Sequence, residues 1–266
     1  MAQKERIDVL MCKLGLTESR QKAQQLIMAG EVFVNGQLVD KAGTSVAEDA
    51  NIEIKGDVCP FVSRGGYKLG KAIPTFGIDL TDCICMDVGA STGGFTDCML
   101  QNGAKKVYCI DVGYGPLAWK LRCDERVVNY ERTNIRNLTT EQVPDKIDFI
   151  SIDVSFISLK IVLPVLKQFM NEKTKIVALI KPQFEAGKGQ VGKNGVVREK
   201  EIHISVINGI LDFCKEQEFV ISGLDFSPVK GPKGNIEFLL YLGAGENEVN
   251  ASYTVDNAHI LLNGVD

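Results

Sequence analysis

Four ionisable side chains fall where an α/β sheet could gather them: Lys68 ahead of the first strand of that pattern, Asp153 closing the fourth, Lys181 closing the fifth and Glu237 within the last. Strand carboxyl ends border the ligand crevice of such a sheet, so Asp153 and Lys181 are expected at its edge. Taken singly, Lys68 and Glu237 read as ordinary surface charges. Metal and serine-nucleophile chemistry have little to work with. The chain has only two histidines, His203 and His259, neither near a cysteine pair, and its eight cysteines form no Cys-x-x-Cys and read as buried thiols.

A second group points to a cofactor. Asp87-Val-Gly-Ala-Ser-Thr-Gly-Gly-Phe95 follows the first strand and opens a helix. Gly89 and Gly93 would let the backbone approach a ligand where a β-carbon would collide, and the helix start offers unpaired N–H groups. Gly89, Ala90, Ser91, Thr92, Gly93, Gly94 and Phe95 are therefore expected to border the ligand. The next strand ends in Asp111, 22 positions beyond Gly89, where a carboxylate can accept hydrogen bonds from ribose hydroxyls, with Val112 beside it. A glycine-rich turn alone could serve only to pack a helix on a sheet; together with Asp111 it specifies a nucleoside-containing cofactor.

A dinucleotide pyrophosphate usually calls for Gly-x-Gly-x-x-Gly, whereas the spacing here is Gly89-x-x-x-Gly93-Gly94, which favours S-adenosylmethionine over a nicotinamide dinucleotide. Tyr67 and Lys71 form the Tyr-x-x-x-Lys used by dehydrogenases, but they precede the glycine-rich strand. Asn134, just past the third strand, is placed either to touch the adenine or to cap a helix.

The elements that must hold these groups are legible as short apolar runs. Cys83 to Asp87, Lys106 to Asp111, Val127 to Tyr130, Asp148 to Asp153 and Ile176 to Ile180 are separated by helix-length segments, the pattern of a buried parallel sheet, and Phe219 to Ser222 and Ile236 to Tyr241 add late strands. The expected fold is α/β and Rossmann-like over residues 64–245, with a helix from Arg64 to Ile73 stopped by Pro74 and a polar tail over 246–266.

Residues 1–57 read as a separate small α+β domain joined by a linker over 58–63. Ser19 is a fitting N-cap for a helix from Arg20 to Met28, and Asn35-Gly36 between Val32, Val34, Leu38 and Val39 marks a hairpin. The set Arg6-Ile-Asp8, Gly15, Ser19-Arg20, Ala23, Leu26-Ile27, Gly30, Val32 and Val34-Asn35-Gly36 resembles the S4 RNA-binding domain. That resemblance implies RNA phosphate contacts from Arg6, Lys13, Arg20 and Lys22. Residues 1–60 carry seven basic and nine acidic side chains, so the domain should position RNA more than drive its binding.

The longer motifs Ser63-Arg-Gly-Gly-Tyr-Lys-Leu69, Asp87 to Thr96, Asp111-Val-Gly-Tyr-Gly-Pro-Leu-Ala-Trp119, Asp153-Val-Ser-Phe-Ile-Ser-Leu159 and Lys181-Pro-Gln-Phe-Glu-Ala-Gly-Lys-Gly189 resemble the TlyA family, also called hemolysin A. That family joins an S4 domain to an FtsJ/RrmJ-like ribose methyltransferase. The resemblance implies S-adenosylmethionine-dependent methylation of a cytidine 2′-hydroxyl in ribosomal RNA, with ribosomal subunits as partners. It also implies a catalytic set of Lys68, Asp153, Lys181 and Glu237. A ribose hydroxyl needs a positioned base, and Lys181 is the candidate, deprotonated through desolvation, Lys68 and the cofactor's positive sulfur. Asp153 and Glu237 would then orient the lysines and substrate.

The net charge of −4 argues weakly against nucleic acid, yet local basic loops stand out: Lys181, Lys188, Lys193, Arg198 and Lys200 in one region, Lys230 and Lys233 in another. Arg64, Lys188, Lys193 and Lys230 are expected to touch RNA, and residues 184–196 to form a lid or RNA-contacting loop. Tyr67, Phe156 and Phe184 could stack on an extruded base or simply pack in the core. No metal is expected. Two other functions stand against this reading. A non-catalytic RNA-binding factor is disfavoured by the intact charged set, and a membrane-lytic protein by the absence of a signal sequence, a span or a basic amphipathic helix. Residence in the cytoplasm is the expectation.

Overall fold

The computed structural model describes residues 4–28, 30–54, 59–187, 189–243 and 245–263, and the chain divides into two units, Met1–Gly66 and Tyr67–Asp266. The first unit runs β1 (Lys4–Arg6), α1 (Ile7–Lys13), α2 (Arg20–Met28), β2 (Val32–Val34), β3 (Gln37–Leu38), β4 (Ser45–Ala47) and β5 (Ile52–Ile54). The hairpin β2–β3 turns through Asn35 and Gly36, both at positive φ (51° and 78°), the geometry that two-residue turns of this sequence favour. Strand β5 pairs with the other edge of β2, and β1 pairs separately with β4. Those last two strands carry no readable alternation in the sequence. Ile7, Leu10, Met11, Ala23, Ile27, Val32 and Val46 form the core.

Asp8 is the electrostatic centre of this unit. Its side chain is fully buried and accepts hydrogen bonds from Arg6, Arg20 and Gln24, while both arginines stay about half exposed. The Arg6 bond in particular holds the Asp8 carboxyl well below the usual carboxylate range. A carboxyl depressed in this way lends stability above its unfolded pKa, and that stability is lost as pH falls through the native value. Amide protection factors in α1, corrected for intrinsic exchange, should therefore fall in acid, and an Asp8→Asn variant should show a flatter pH dependence. Equal profiles for the two proteins would refute this role.

The second unit opens with α3 (Gly65–Phe76), whose first two residues belong to the preceding unit. The helix was expected to stop before Pro74, yet it continues through that residue to Phe76. Its far end is anchored on the sheet: Phe76 stacks on Tyr241 with ring centroids 5.0 Å apart, and Lys71 donates to the Phe226 carbonyl at 2.7 Å and pairs with Asp225. These contacts offset the lost proline N–H.

There follow β6 (Ile84–Val88), α4 (Gly94–Gln101), β7 (Lys106–Ile110), α5 (Trp119–Arg122), β8 (Val127–Tyr130), β9 (Ile147–Ile152), α6 (Leu159–Leu166), β10 (Met170–Ile180), α7 (Pro182–Glu185), α8 (Lys200–Glu216), β11 (Ile221–Phe226), β12 (Phe238–Leu242) and α9 (Ala251–Asn263). Among the described residues they form a seven-stranded sheet of order β11-β12-β10-β9-β6-β7-β8, parallel except for β12. The expected α/β Rossmann-like architecture is thus present. The order reverses beside β6, so the carboxyl ends of β6 and β9 flank a crevice.

Residues 246–266 were expected as a polar tail, but α9 lies within them. Ala251, Val255 and Ala258, spaced for one helical face, are buried against the core shared with α8 and β11. Val58, the first residue of the expected linker, lies outside the described residues. Of the cysteines, Cys85, Cys98, Cys109 and Cys214 are buried, whereas Cys123 is exposed.

At the seam of α8 and α9, fully buried His203 meets His259 with nitrogens 3.0 Å apart. Burial first, and then His259, push the His203 pKa down to about 4. Because the unfolded ring takes a proton at higher pH than the folded one, stability contributed by this residue declines as pH falls from about 6.5 toward 4. Histidine NMR titration should find no His203 inflection near 6.5. An ordinary inflection there would contradict the buried, neutral ring.

No helix among the described residues is long and apolar enough to cross a membrane.

Candidate active site

Lys68, Asp153, Lys181 and Glu237 converge at the carboxyl edge of the sheet. Lys68 Nζ lies 3.2 Å from Asp153 Oδ2 and 2.8 Å from Glu237 Oε2, while Lys181 Nζ lies 2.5 Å from Asp153 Oδ1. The four form one chain of alternating charge. Asp153 follows β9 directly, Lys181 follows β10, and Lys68 projects from the first turns of α3. Glu237, read as part of a strand, instead sits one residue ahead of β12, fully buried.

Burial opposes the charge on Asp153, but the ammoniums of Lys68 and Lys181 outweigh it and hold its carboxyl at about 2. Burial likewise works against charge on Lys68, and Asp153 with Glu237 overcomes it, raising that lysine above its ordinary range. Lys68 is therefore a fixed cation. Removing either partner would strand a charge in a site that water barely reaches.

Three neighbours were not foreseen. Ser155 Oγ accepts a bond from Lys181 at 3.2 Å, and Gln183 donates from Nε2 to Glu237 Oε1 at 3.1 Å. Gly231 approaches Glu237 so closely that a β-carbon there would overlap its carboxylate. Ser155, two residues past Asp153, and Gln183, two past Lys181, lie inside the longer motifs, the one signal that could have hinted at their roles. Glu185 fixes this region by accepting from Ser158 Oγ at 2.6 Å and from Leu159 N at 2.7 Å, which ties α7 to the start of α6.

Beside this set lies a cavity of about 740 Å³ lined by, among others, Gly89, Ser91, Asp111, Asn134, Asp153 and Phe156. At Gly89, with φ +86°, a β-carbon would stand 2.5 Å from the Asp153 carbonyl oxygen. Asp111 accepts from Ser91 N at 2.7 Å and Gly113 N at 2.6 Å, which holds the glycine loop against the end of β7. Val112 also lines the cavity. Asn134 caps the turn Ile135–Asn137, its side chain accepting from Arg136 N, and it also lines the cavity.

Ala90, Thr92, Gly93, Gly94 and Phe95, expected at the ligand, are not among the lining residues. Phe95 is buried, and a β-carbon on Gly93 would strike Leu121 of α5, so Gly93 lets that helix pack close to the loop. Asp87 sits beneath the loop, where burial pushes its carboxyl up to about 7 although Thr96 and Ser151 donate to it. Missed lining residues include Thr133, Arg136 and Ile157, in loops whose path the strand pattern leaves undefined. A nucleoside with a short charged extension fits this donor and acceptor set.

The cations expected to meet RNA are dispersed. Arg6 and Arg20 share Asp8, whereas Lys13 is paired with Glu5 and Glu48, which dilutes its charge. Lys22 is half-buried on α2, and Arg64 packs its side chain against Gly30 in the same unit. Lys230 borders a separate cavity, Lys193 opens a short turn to Gly195, and Lys188 lies outside the described residues. The expected lid over 184–196 is in part ordered helix, since α7 reaches Glu185. Phe156 is 90% exposed at positive φ (63°), unusual for an aromatic residue, and its ring lies 4.8 Å from that of Phe184.

Two family profiles match the chain: FtsJ-like methyltransferase over residues 61–244 and S4 domain over residues 5–52. The chain is 43% identical over 243 residues to the 16S/23S rRNA (cytidine-2′-O)-methyltransferase TlyA of Mycobacterium tuberculosis, covering 91% of each. It is 44% identical to Hemolysin A of Brachyspira hyodysenteriae, covering 89% of this chain and 98% of that protein. Among solved structures, a protein from Streptococcus thermophilus assigned to the hemolysins superimposes with a TM-score of 0.79 at 45% identity, covering 99% of this chain and 98% of that one.

Proposed function

The chain belongs to the FtsJ-like methyltransferases that carry an S4 domain, the TlyA or hemolysin A family, and on that premise we propose that it methylates the 2′-hydroxyl of a cytidine in ribosomal RNA, using S-adenosylmethionine. The observation that carries this reading is the Lys181–Asp153–Lys68–Glu237 chain at the rim of a nucleoside-sized cavity. Bound S-adenosylmethionine supplies a methyl group on a positively charged sulfur.

Lys181, in its neutral form, takes the proton from the ribose hydroxyl onto Nζ as the oxygen attacks. Ser155 and Asp153 fix the direction of that nitrogen. Glu237, steadied by Gln183, holds Lys68 in place. The exposed Phe156 ring, with Phe184 behind it, offers a platform for the target base. Arg6 and Arg20, oriented by Asp8, grip RNA phosphates.

The test is transfer of labelled methyl from S-adenosylmethionine to purified ribosomal subunits and to protein-free ribosomal RNA, followed by nuclease mapping. Label recovered as 2′-O-methylcytidine supports the assignment. Label on a base, or none with either substrate, overturns it.

A further inference from the structure

The neighbouring cavity, about 380 Å³, is lined by Val196, Val197, Arg198, His203, Lys230, Lys233, Gly234, Ile236 and His259. We propose that it is a phosphate-binding pocket that takes a backbone phosphate of the RNA strand whose ribose enters the active site, an assignment resting on the RNA reading above. Three permanent cations and no carboxylate line it. Among the described residues, Arg198 and Lys230 have no ion-pair partner, and Lys233 donates only to the Asn194 carbonyl, at 2.7 Å. Two acids act on His259 from nearby, Asp256 and Glu201; Asp256 is taken by Lys200, and neither acid lines the pocket. Uncompensated like charges crowded into one small cavity disfavour each other until an anion arrives.

The pocket is built rather than incidental. Buried Asn235 ties its two walls together, accepting from Val197 N at 3.0 Å and donating to the carbonyls of Gly195 and Pro232. Lys233 is held at φ +61°, a conformation that costs a non-glycine residue energy and that points to a constraint on where its side chain goes. The base is the histidine pair. His203 Nε2 must carry a proton to bond the Val197 carbonyl, so its Nδ1 accepts from His259 Nε2–H, and the walls, α8 and α9 are joined through two neutral rings.

Location supplies the reason for a nucleic-acid ligand. Ile236 lines this pocket, and the next residue, Glu237, enters the catalytic set, so the two sites lie on opposite sides of one extended segment at the same sheet edge. A strand presenting its ribose to Lys181 can lay a phosphate across that segment.

His203 and His259 are the only histidines of the chain, which makes histidine NMR a reporter of this pocket alone. With the full-length protein, inorganic phosphate should shift both histidine signals, and an Arg198→Gln/Lys233→Gln double variant should abolish the response. In methyl-transfer assays the same variant should raise KM for RNA about tenfold and lower the slope of log KM against log salt by about one, leaving KM for S-adenosylmethionine in place. Histidine signals that ignore both phosphate and RNA, while the wild type methylates RNA, would eliminate the pocket and spare the functional reading. Signals that respond to phosphate, with KM and salt slope unchanged in the variant, would reassign the pocket to free phosphate and overturn its RNA role. A phosphate response in a wild-type protein that methylates no RNA would instead sink the functional reading, and the RNA assignment with it.

Discussion

Lys181→Met is expected to lower kcat for methyl transfer by roughly 10²- to 10⁴-fold, the range a positioned general base contributes, while folding and cofactor binding persist. Lys181→Arg should be almost as inactive. Guanidinium keeps the charge and can reach Asp153, but it does not give up its proton near neutral pH, so arginine separates proton removal from simple charge stabilisation. A third variant reports on the same step. Asp153 shares a 2.5 Å contact with Lys181 Nζ and aims that nitrogen, so Asp153→Asn should lower kcat with Lys181 still present. An arginine variant near wild-type activity would remove Lys181 from the role of base.

Gly89→Ala should be the most damaging single-methyl change in the cofactor site. At φ +86° any β-carbon is strained, and this one would meet the Asp153 carbonyl carbon at 2.9 Å and its oxygen at 2.5 Å. Backbone cannot swing aside as a side-chain tip can. The expected result is a loss of about 1–3 kcal/mol in stability and at least a tenfold weaker hold on S-adenosylmethionine, because the cavity wall and Asp153 move together. Gly115→Ala is the control. Its φ is +77°, but nothing lies within 4 Å of the added carbon, so it should show backbone strain without loss of cofactor affinity. Calorimetric titration with S-adenosylmethionine distinguishes the two, and wild-type affinity in Gly89→Ala would show that the loop yields.

The β-strands of the large sheet were legible as short runs rich in apolar and β-branched residues, even at its half-buried edge. Val127 to Tyr130 matches β8 to the residue, and the other predicted strands of the sheet overlap their observed counterparts. Short edge pairings were not legible. β1, with Lys4, Glu5 and Arg6, owes its place to a partner 39 or more residues away, not to its own pattern. The same physics hid α9, whose buried face is made of Ala251, Val255 and Ala258 among polar neighbours and is apolar enough only against α8 and β11.

The amino-acid sequence by itself determined the two-part plan, the glycine loop with its distant Asp111, and the identity of the four charged residues, because each depends on local spacing or on a motif. Tertiary structure decided what those residues do to one another. Lys68 and Glu237 are 169 positions apart, so their 2.8 Å contact exists only once α3 and the approach to β12 are packed on the same sheet edge. That packing removes water from Asp153 and Lys68, fixes the charge of each through its neighbours, and brings Arg198, Lys233 and the two histidines around one cavity. Electrostatic interaction depends on distance and burial, and neither is written in the order of residues along the chain.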